Sequence, residues 1–267
     1  MPTLLVIEHV PHERLGTFEP ALTAAGATLR PFRVFEPGAR WPSMAEVDGL
    51  VIMGGPMSVY QPKQYPWITK EMALLREALN RKIPILGVCL GAQMLAQALE
   101  AQVHAAPAKE IGWYPLMREP GADGDPLMEA FGQTETVFQW HGDTFSLPKD
   151  AVRLASSPLC PEQGFRYGTS AYGLQFHLEV TEAMIRAWML QPGNRQELAT
   201  LAGQIDPMAI RRQSPQHIAR LGELACHVAT AFCQLVTTRL AAIRRSSGRR
   251  PGRGRRGAPR GNKGAKA

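Results

Sequence analysis

The stretch Ile83-Pro-Ile-Leu-Gly-Val-Cys-Leu-Gly-Ala-Gln93 is a short apolar run that passes directly into a helical pattern, with Cys89 at the join. Gly87 and Gly91 flank the cysteine at −2 and +2. This is the spacing of a nucleophile elbow, with Cys where hydrolases often carry Ser. The turn is sharp, so neighbours without side chains relieve its crowding. A cysteine placed there stands above the carboxyl end of a buried strand and at a helix N-terminus. The dipole and free N–H groups at such an end favour a thiolate and can bind an oxyanion.

The pattern around the elbow predicts a sheet fold. Leu4–Ile7, Thr28–Phe35 and 48–53 read as strands, the last closed by Gly54-Gly55-Pro56. Arg14–Ala25, Trp67–Asn80 and Gly91–Leu99 have helical spacing. Strands alternating with helices imply a parallel sheet covered on both faces. After residue 100 the segments Gly112–Met117, Thr134–Trp140, Val152–Ser156, Phe165–Tyr167 and Tyr172–Glu179 read as strands with short turns, adding antiparallel sheet. Thr181 is a candidate N-cap for a helix over Thr181–Met189. Ser214-Pro215 reads as a helix start. From there Ile218, Leu221, Ala225, Val228, Phe232 and Leu235 step three and four apart, predicting a helix packed on the domain, with a dimer seam as the alternative. The expected class is α/β, with a mixed, mostly parallel central sheet and helices on both faces.

A cysteine nucleophile needs a base, and the base needs an orienter. His177-Leu-Glu179 offers both at i and i+2, on one side of an extended chain. The Gly54-Gly55-Pro56 loop follows a buried strand, so it belongs to the same carboxyl-end rim as Cys89, where open α/β sheets bind ligands. Glycines there let backbone N–H groups approach an anionic centre.

Together and in this order, the Cys89 elbow, the Gly-Gly-Pro loop and the His-x-Glu pair resemble class I glutamine amidotransferases, across about residues 1–190. Within that family the chain is most similar to the glutaminase domain of GMP synthase and its stand-alone relatives, through Gly54-Gly-Pro-Met-Ser58, Trp140-His-Gly-Asp143 and Gln175-Phe-His177. The resemblance implies a flavodoxin-like fold and no cofactor. It makes Cys89 the nucleophile, His177 the base and Glu179 its orienter. It places the oxyanion hole at the backbone N–H groups of Gly55 and Leu90, and substrate contacts at Gln93, Trp140, Gly142 and Asp143. His141 is a rival base, but its position suits substrate contact better. The implied reaction is hydrolysis of the glutamine side-chain amide through a glutamyl thioester, with ammonia passing to a separate synthetase. Two alternatives are a γ-glutamyl peptide or conjugate hydrolase with the same triad, and a non-catalytic regulatory protein on this scaffold. Leu178 stands where the family usually has Pro, which changes local stiffness but keeps the spacing. The chain has no G-x-x-x-x-G-K-[ST] phosphate loop and no synthetase segment after residue 190.

Charge and composition bound the remainder. The 267 residues carry 30 Lys+Arg and 23 Asp+Glu, net +7. Ten of the basic residues and no acid fall in Arg244–Ala267, which leaves 20 basic against 23 acidic residues in 1–243. The basic character therefore belongs to a Gly/Arg-rich tail, expected to be disordered and at most to touch nucleic acid weakly through phosphates. Residues 191–243 are expected to form a helical extension. No run of 18 apolar residues and no basic, apolar leader is present, so neither a membrane span nor a signal peptide is expected. Cys89, Cys160, Cys226 and Cys233 form no C-x-x-C pair, which suggests a reducing, cytoplasmic compartment; Cys226 and Cys233 read as small apolar helix residues.

Overall fold

The structure, a computed structural model, describes residues 1–248. Nine strands form one sheet: β1 (Thr3–Glu8), β2 (Thr28–Arg33), β3 (Gly49–Ile52), β4 (Ile85–Val88), β5 (Val103–Arg118), β6 (Thr134–Phe145), β7 (Ala151–Ser156), β8 (Gly164–Tyr167) and β9 (Ala171–Leu174). Their order is β2-β1-β3-β4-β9-β8-β7-β5-β6. From β2 to β9 neighbours run parallel, and from β9 to β6 antiparallel. The antiparallel part is as extensive as the parallel one. Beyond the predicted strands, β5 and β6 extend into a long hairpin. Ala105-Ala-Pro-Ala-Lys109 hid the start of β5, because small residues and Pro carry little strand signal. The register there shifts between Ala105 and Glu110.

Among the described residues six α-helices complete the fold: α1 (Phe18–Ala24), α2 (Trp67–Asn80), α3 (Leu90–Ala98), α4 (Glu182–Leu190), α5 (Pro192–Thr200) and α6 (Pro207–Gly248). β1 shows why the sheet is covered on both faces. Leu4 and Val6 belong to the core on the α1 and α6 side, whereas Leu5 and Ile7 belong to the core on the α2 and α3 side. Side chains alternate across a strand, so a run that is apolar at every position needs two cores.

α6 starts seven residues before the Ser214-Pro215 start that the sequence suggests, and it passes through Pro215. Pro215 has no N–H for the carbonyl of Arg211. Ser214 is fixed at this point: its Oγ donates to the Ile210 carbonyl at 2.8 Å and accepts from Trp113 Nε1 at 3.1 Å. Leu221, Ala225, Val228, Phe232 and Val236 form a fully buried stripe against α1 and the sheet. By length and hydropathy Pro207–Ser246 is apolar enough to cross a bilayer; in this fold its stripe is part of the core. Both cysteines lie on this helix; Cys233 is buried beside the stripe and Cys226 is exposed. The helix also takes in Arg244–Gly248, the first five residues of the expected disordered tail. The remaining tail, with its expected nucleic-acid contact, lies outside the described residues.

Candidate active site

β4 ends at Val88 and α3 begins at Leu90, so Cys89 occupies the turn alone. Its φ is +51° and its ψ −105°, a conformation that costs a non-glycine residue about 1–3 kcal/mol. The flanking glycines are required by space. A Cβ on Gly87 would stand 2.4 Å from the Gly91 carbonyl oxygen, and one on Gly91 would stand 2.2 Å from the Ile52 carbonyl oxygen. The Cys89 N–H donates to Leu174 O at 2.7 Å, which ties the turn to the end of β9. Gln93 N–H donates to Cys89 O at 3.1 Å, so the N–H groups of Leu90, Gly91 and Ala92 precede the helical ladder.

His177 and Glu179 do not lie on a strand as expected. β9 stops at Leu174, and the next residues form a bent segment pinned by the His177 N–H to Phe138 O at 2.9 Å. The side chains meet nonetheless: His177 Nδ1 donates to Glu179 Oε1 at 2.7 Å, with both groups buried. With Nδ1 so engaged, Nε2 is left for Cys89. Burial disfavours the imidazolium, but the Glu179 carboxylate and Cys89 outweigh it, and the His177 pKa lies well above the usual 6.5. Leu178 is buried and its carbonyl accepts from Thr17 Oγ1 at 3.3 Å.

Cys89, His177, Gly55, Gln93, Trp140, Gly142 and Asp143 line one cavity of about 290 Å³. Glu179 stands behind His177. Leu90 is buried beside the Gly-Gly-Pro loop, where a Cβ on Gly55 would meet Leu90 Cδ2 at 3.0 Å. The volume is at the small end of ligand sites, which span about 300–1,000 Å³. A larger cavity of about 800 Å³ lies among α4, α5 and α6 and contains none of these groups.

Trp140 to Asp143 belong to strand β6. Asp143 is already held: its Oδ2 accepts from Ser58 Oγ at 2.6 Å and from Tyr60 OH at 2.9 Å. Trp140 Nε1 donates to Glu197 Oε2 at 3.1 Å, and Lys109 Nζ pairs with Glu197 Oε1, joining α5 to the hairpin at the cavity. His141 is buried with Nε2 3.0 Å from Glu110 Oε2 and Nδ1 3.0 Å from Asp143 O. Both nitrogens are engaged, so it is a poor rival to His177.

Several residues at the site had no role in the sequence analysis, Gln175 among them although its motif was noted. Gln175 Nε2 donates toward Cys89 Sγ at 3.6 Å, and its Oε1 accepts from Gln93 Nε2 at 3.2 Å. His9, one residue past β1, donates from Nδ1 to Gly54 O at 2.8 Å and points Nε2 at both oxygens of Glu71, 3.1 Å away. Burial opposes its charge, but Glu71 prevails and raises its pKa. A protonated His9 thus braces the Gly-Gly-Pro loop. Glu13 also lines the cavity. The one available signal was position: His9 directly follows a buried strand, on the same rim as the Gly-Gly-Pro loop. Among the described residues, no group of three or more His, Cys, Asp or Glu side chains is placed to hold a metal ion.

Residues 21–191 match the profile of the "Glutamine amidotransferase class-I" family. The chain is 34% identical over 201 residues to YfeJ of Salmonella typhimurium, described as glutamine amidotransferase-like, a match covering 74% of this chain and 83% of that protein. It is 33% identical over 140 residues to the glutamine-hydrolysing GMP synthase of Porphyromonas gingivalis, covering 51% of this chain and only 26% of that enzyme. Among solved structures, a glutamine amidotransferase of Thermotoga maritima superposes with a TM-score of 0.77 at 32% identity, covering 87% of this chain and 98% of the other. One from Methylobacillus flagellatus gives 0.76 at 28% identity, covering 87% and 94%.

Proposed function

This chain belongs to the class I glutamine amidotransferase family, and from that premise we propose that it hydrolyses the side-chain amide of glutamine with Cys89 as nucleophile, His177 as base and Glu179 as its orienter. The observation that carries the proposal is the meeting, at one small cavity, of a strained Cys89 elbow with a buried His177 held at 2.7 Å by Glu179.

The Cys89 thiolate attacks the amide carbon, and the carbonyl electron pair moves to oxygen. That oxyanion is received by the N–H groups of Leu90 and Gly55, where one well-placed donor contributes about 3 kcal/mol. The tetrahedral intermediate collapses as the C–N bond breaks with its electron pair on nitrogen, and His177 supplies the proton that releases ammonia. Water, deprotonated by His177, then attacks the glutamyl thioester and releases glutamate. Gln93, Trp140, Gly142 and Asp143 hold the amino-acid end. The ammonia is used by a synthetase on a separate chain, in a reducing cytoplasmic compartment that suits four free cysteines.

Purified protein should release ammonia and glutamate from glutamine, and Cys89→Ala should abolish this. If γ-glutamyl peptides are cleaved far better than glutamine, the leaving group is an amine and no synthetase is needed. If a γ-glutamyl panel is untouched and Cys89 resists a glutamine-like chloroketone, the proposal fails.

A further inference from the structure

The reaction outlined above leaves one carboxylate in the cavity without a task. Glu13 lies in the loop between β1 and α1, and that loop is fixed on the His177 segment. Trp188 Nε1 donates to His12 O at 2.8 Å, and Thr17 N–H donates to Glu179 O at 2.8 Å. Gly16 packs so closely there, at φ +50°, that a Cβ would come within 2.0 Å of the Glu179 carbonyl oxygen. Glu13 is thereby held over the catalytic groups. A methyl-sized position on Gly54 would be 2.6 Å from Glu13 Oε2, 3.2 Å from His177 Cε1 and 3.7 Å from Cys89 Cβ.

The other cavity carboxylates have donors. Asp143 receives Ser58 and Tyr60, and Glu197 receives Lys109 and Trp140. No described residue donates a hydrogen bond to Glu13; His12 Nε2 stands 3.9 Å from its Oε1, beyond hydrogen-bond reach. The Glu13 carboxylate opens onto the cavity, so a ligand bound there can supply its donors. In the proposed reaction the amide oxygen faces Gly55 and Leu90, and the leaving nitrogen faces His177. Glu13 is on the His177 side.

We infer that Glu13 is a leaving-group residue: its carboxylate accepts hydrogen bonds from the N–H groups of the departing nitrogen and so favours a primary amide. The inference rests on the amide-hydrolysis reading above. The step balances without Glu13 changing its proton. The C–N bond breaks with its pair on nitrogen, the third proton comes from His177, and ammonia leaves with its N–H groups directed at Glu13. Burial raises the Glu13 pKa to about 7, reinforced by Glu179 and opposed by His177 and His9. The ionised form, the stronger acceptor, therefore develops as pH rises through neutrality. His12, also facing it, has its pKa lowered by burial.

The test compares kcat/KM for glutamine with that for the γ-methyl ester of glutamate, whose leaving oxygen has no N–H. In Glu13→Gln the amide-to-ester ratio is expected to fall about 10- to 100-fold, the range for losing a hydrogen bond to a charged group. The loss is expected in kcat more than in KM, and the limb near pH 7 in the glutamine profile should disappear. Labelling of Cys89 by a glutamine-like chloroketone checks that the variant is folded. An unchanged ratio, with both substrates affected alike or neither affected, overturns the role of Glu13. If wild-type protein turns over neither substrate, the amide-hydrolysis reading falls first and this inference with it.

Discussion

Cys89, His177 and Glu179 derive their chemistry from their surroundings more than from their identity. His177 has its pKa raised well above 6.5, with burial opposing the rise and Glu179 and Cys89 driving it. Stability from the charged His177 is therefore complete below pH 6.5 and lost as pH rises through the raised folded value. Glu179→Gln should move the imidazole titration, followed by NMR, to lower pH. It should also shift the alkaline limb of activity the same way, since loss of the imidazolium comes earlier. Glu13 has linkage of the same sign, at lower pH. Its folded pKa of about 7 against an ordinary 4.5 means that the folded state keeps a proton the unfolded chain has released. Stability should fall between those values, by about 3 kcal/mol if the whole shift is expressed. Melting temperatures of wild type and Glu13→Gln measured from pH 5 to 8 should diverge, with the variant losing less. At this scale Cys89, His177 and Glu179 were legible because their spacing is local. Glu13 and His9 were not, nor was the role of Gln175, because the partners are distant in sequence: Glu71 for His9, and Cys89 and Gln93 for Gln175.

The elements explain why the elbow is built as it is. A Cβ on Gly87 has no space, because Gly91 O would be 2.4 Å away and both are backbone positions that the sheet and α3 hold. Gly87→Ala should destabilise the fold by about 2–4 kcal/mol, read by denaturant titration, and reduce chloroketone labelling of Cys89. The Gly-Gly-Pro loop depends in turn on α2, through Glu71 and His9. Removing one partner of such a buried pair strands a charge, so Glu71→Ala should cost about 3–5 kcal/mol. The periodicity marked α2 and α3 to within a residue, and Thr181 caps α4 as predicted, accepting from Met184 N at 3.2 Å. The misplaced strand at His177–Glu179 shows what periodicity misses. An apolar run continues past the last ladder bond, and only the neighbouring strands determine where pairing stops.

At the scale of the whole molecule, the core on the α1 and α6 side of the sheet joins parts of the chain that are distant in sequence. Leu4 and Val6 near the start share a cluster with Val228, Phe232 and Val236 of α6. Side chains from β6, α4 and α5 meet at the cavity through Trp140, Trp188 and Glu197. The boundary expected near residue 190 therefore has shared core on both sides. Phe232→Ala, in the α6 stripe and not among the residues lining the cavity, should cost about 3–5 kcal/mol through the void it leaves. It should leave chloroketone labelling of the folded fraction intact. Ser214-Pro215 misled the reading of α6 because Pro is usual at a helix start, and here Trp113 supports the helix through it.

The central claim is that glutamine is cleaved through a thioester on Cys89. Acid-quenching the enzyme during glutamine turnover and mapping the adduct by peptide mass spectrometry tests it most directly. One glutamyl group is expected on the peptide containing Cys89 and none in Cys89→Ala. Turnover retained in Cys89→Ala, or a glutamyl group on any other residue, would contradict it.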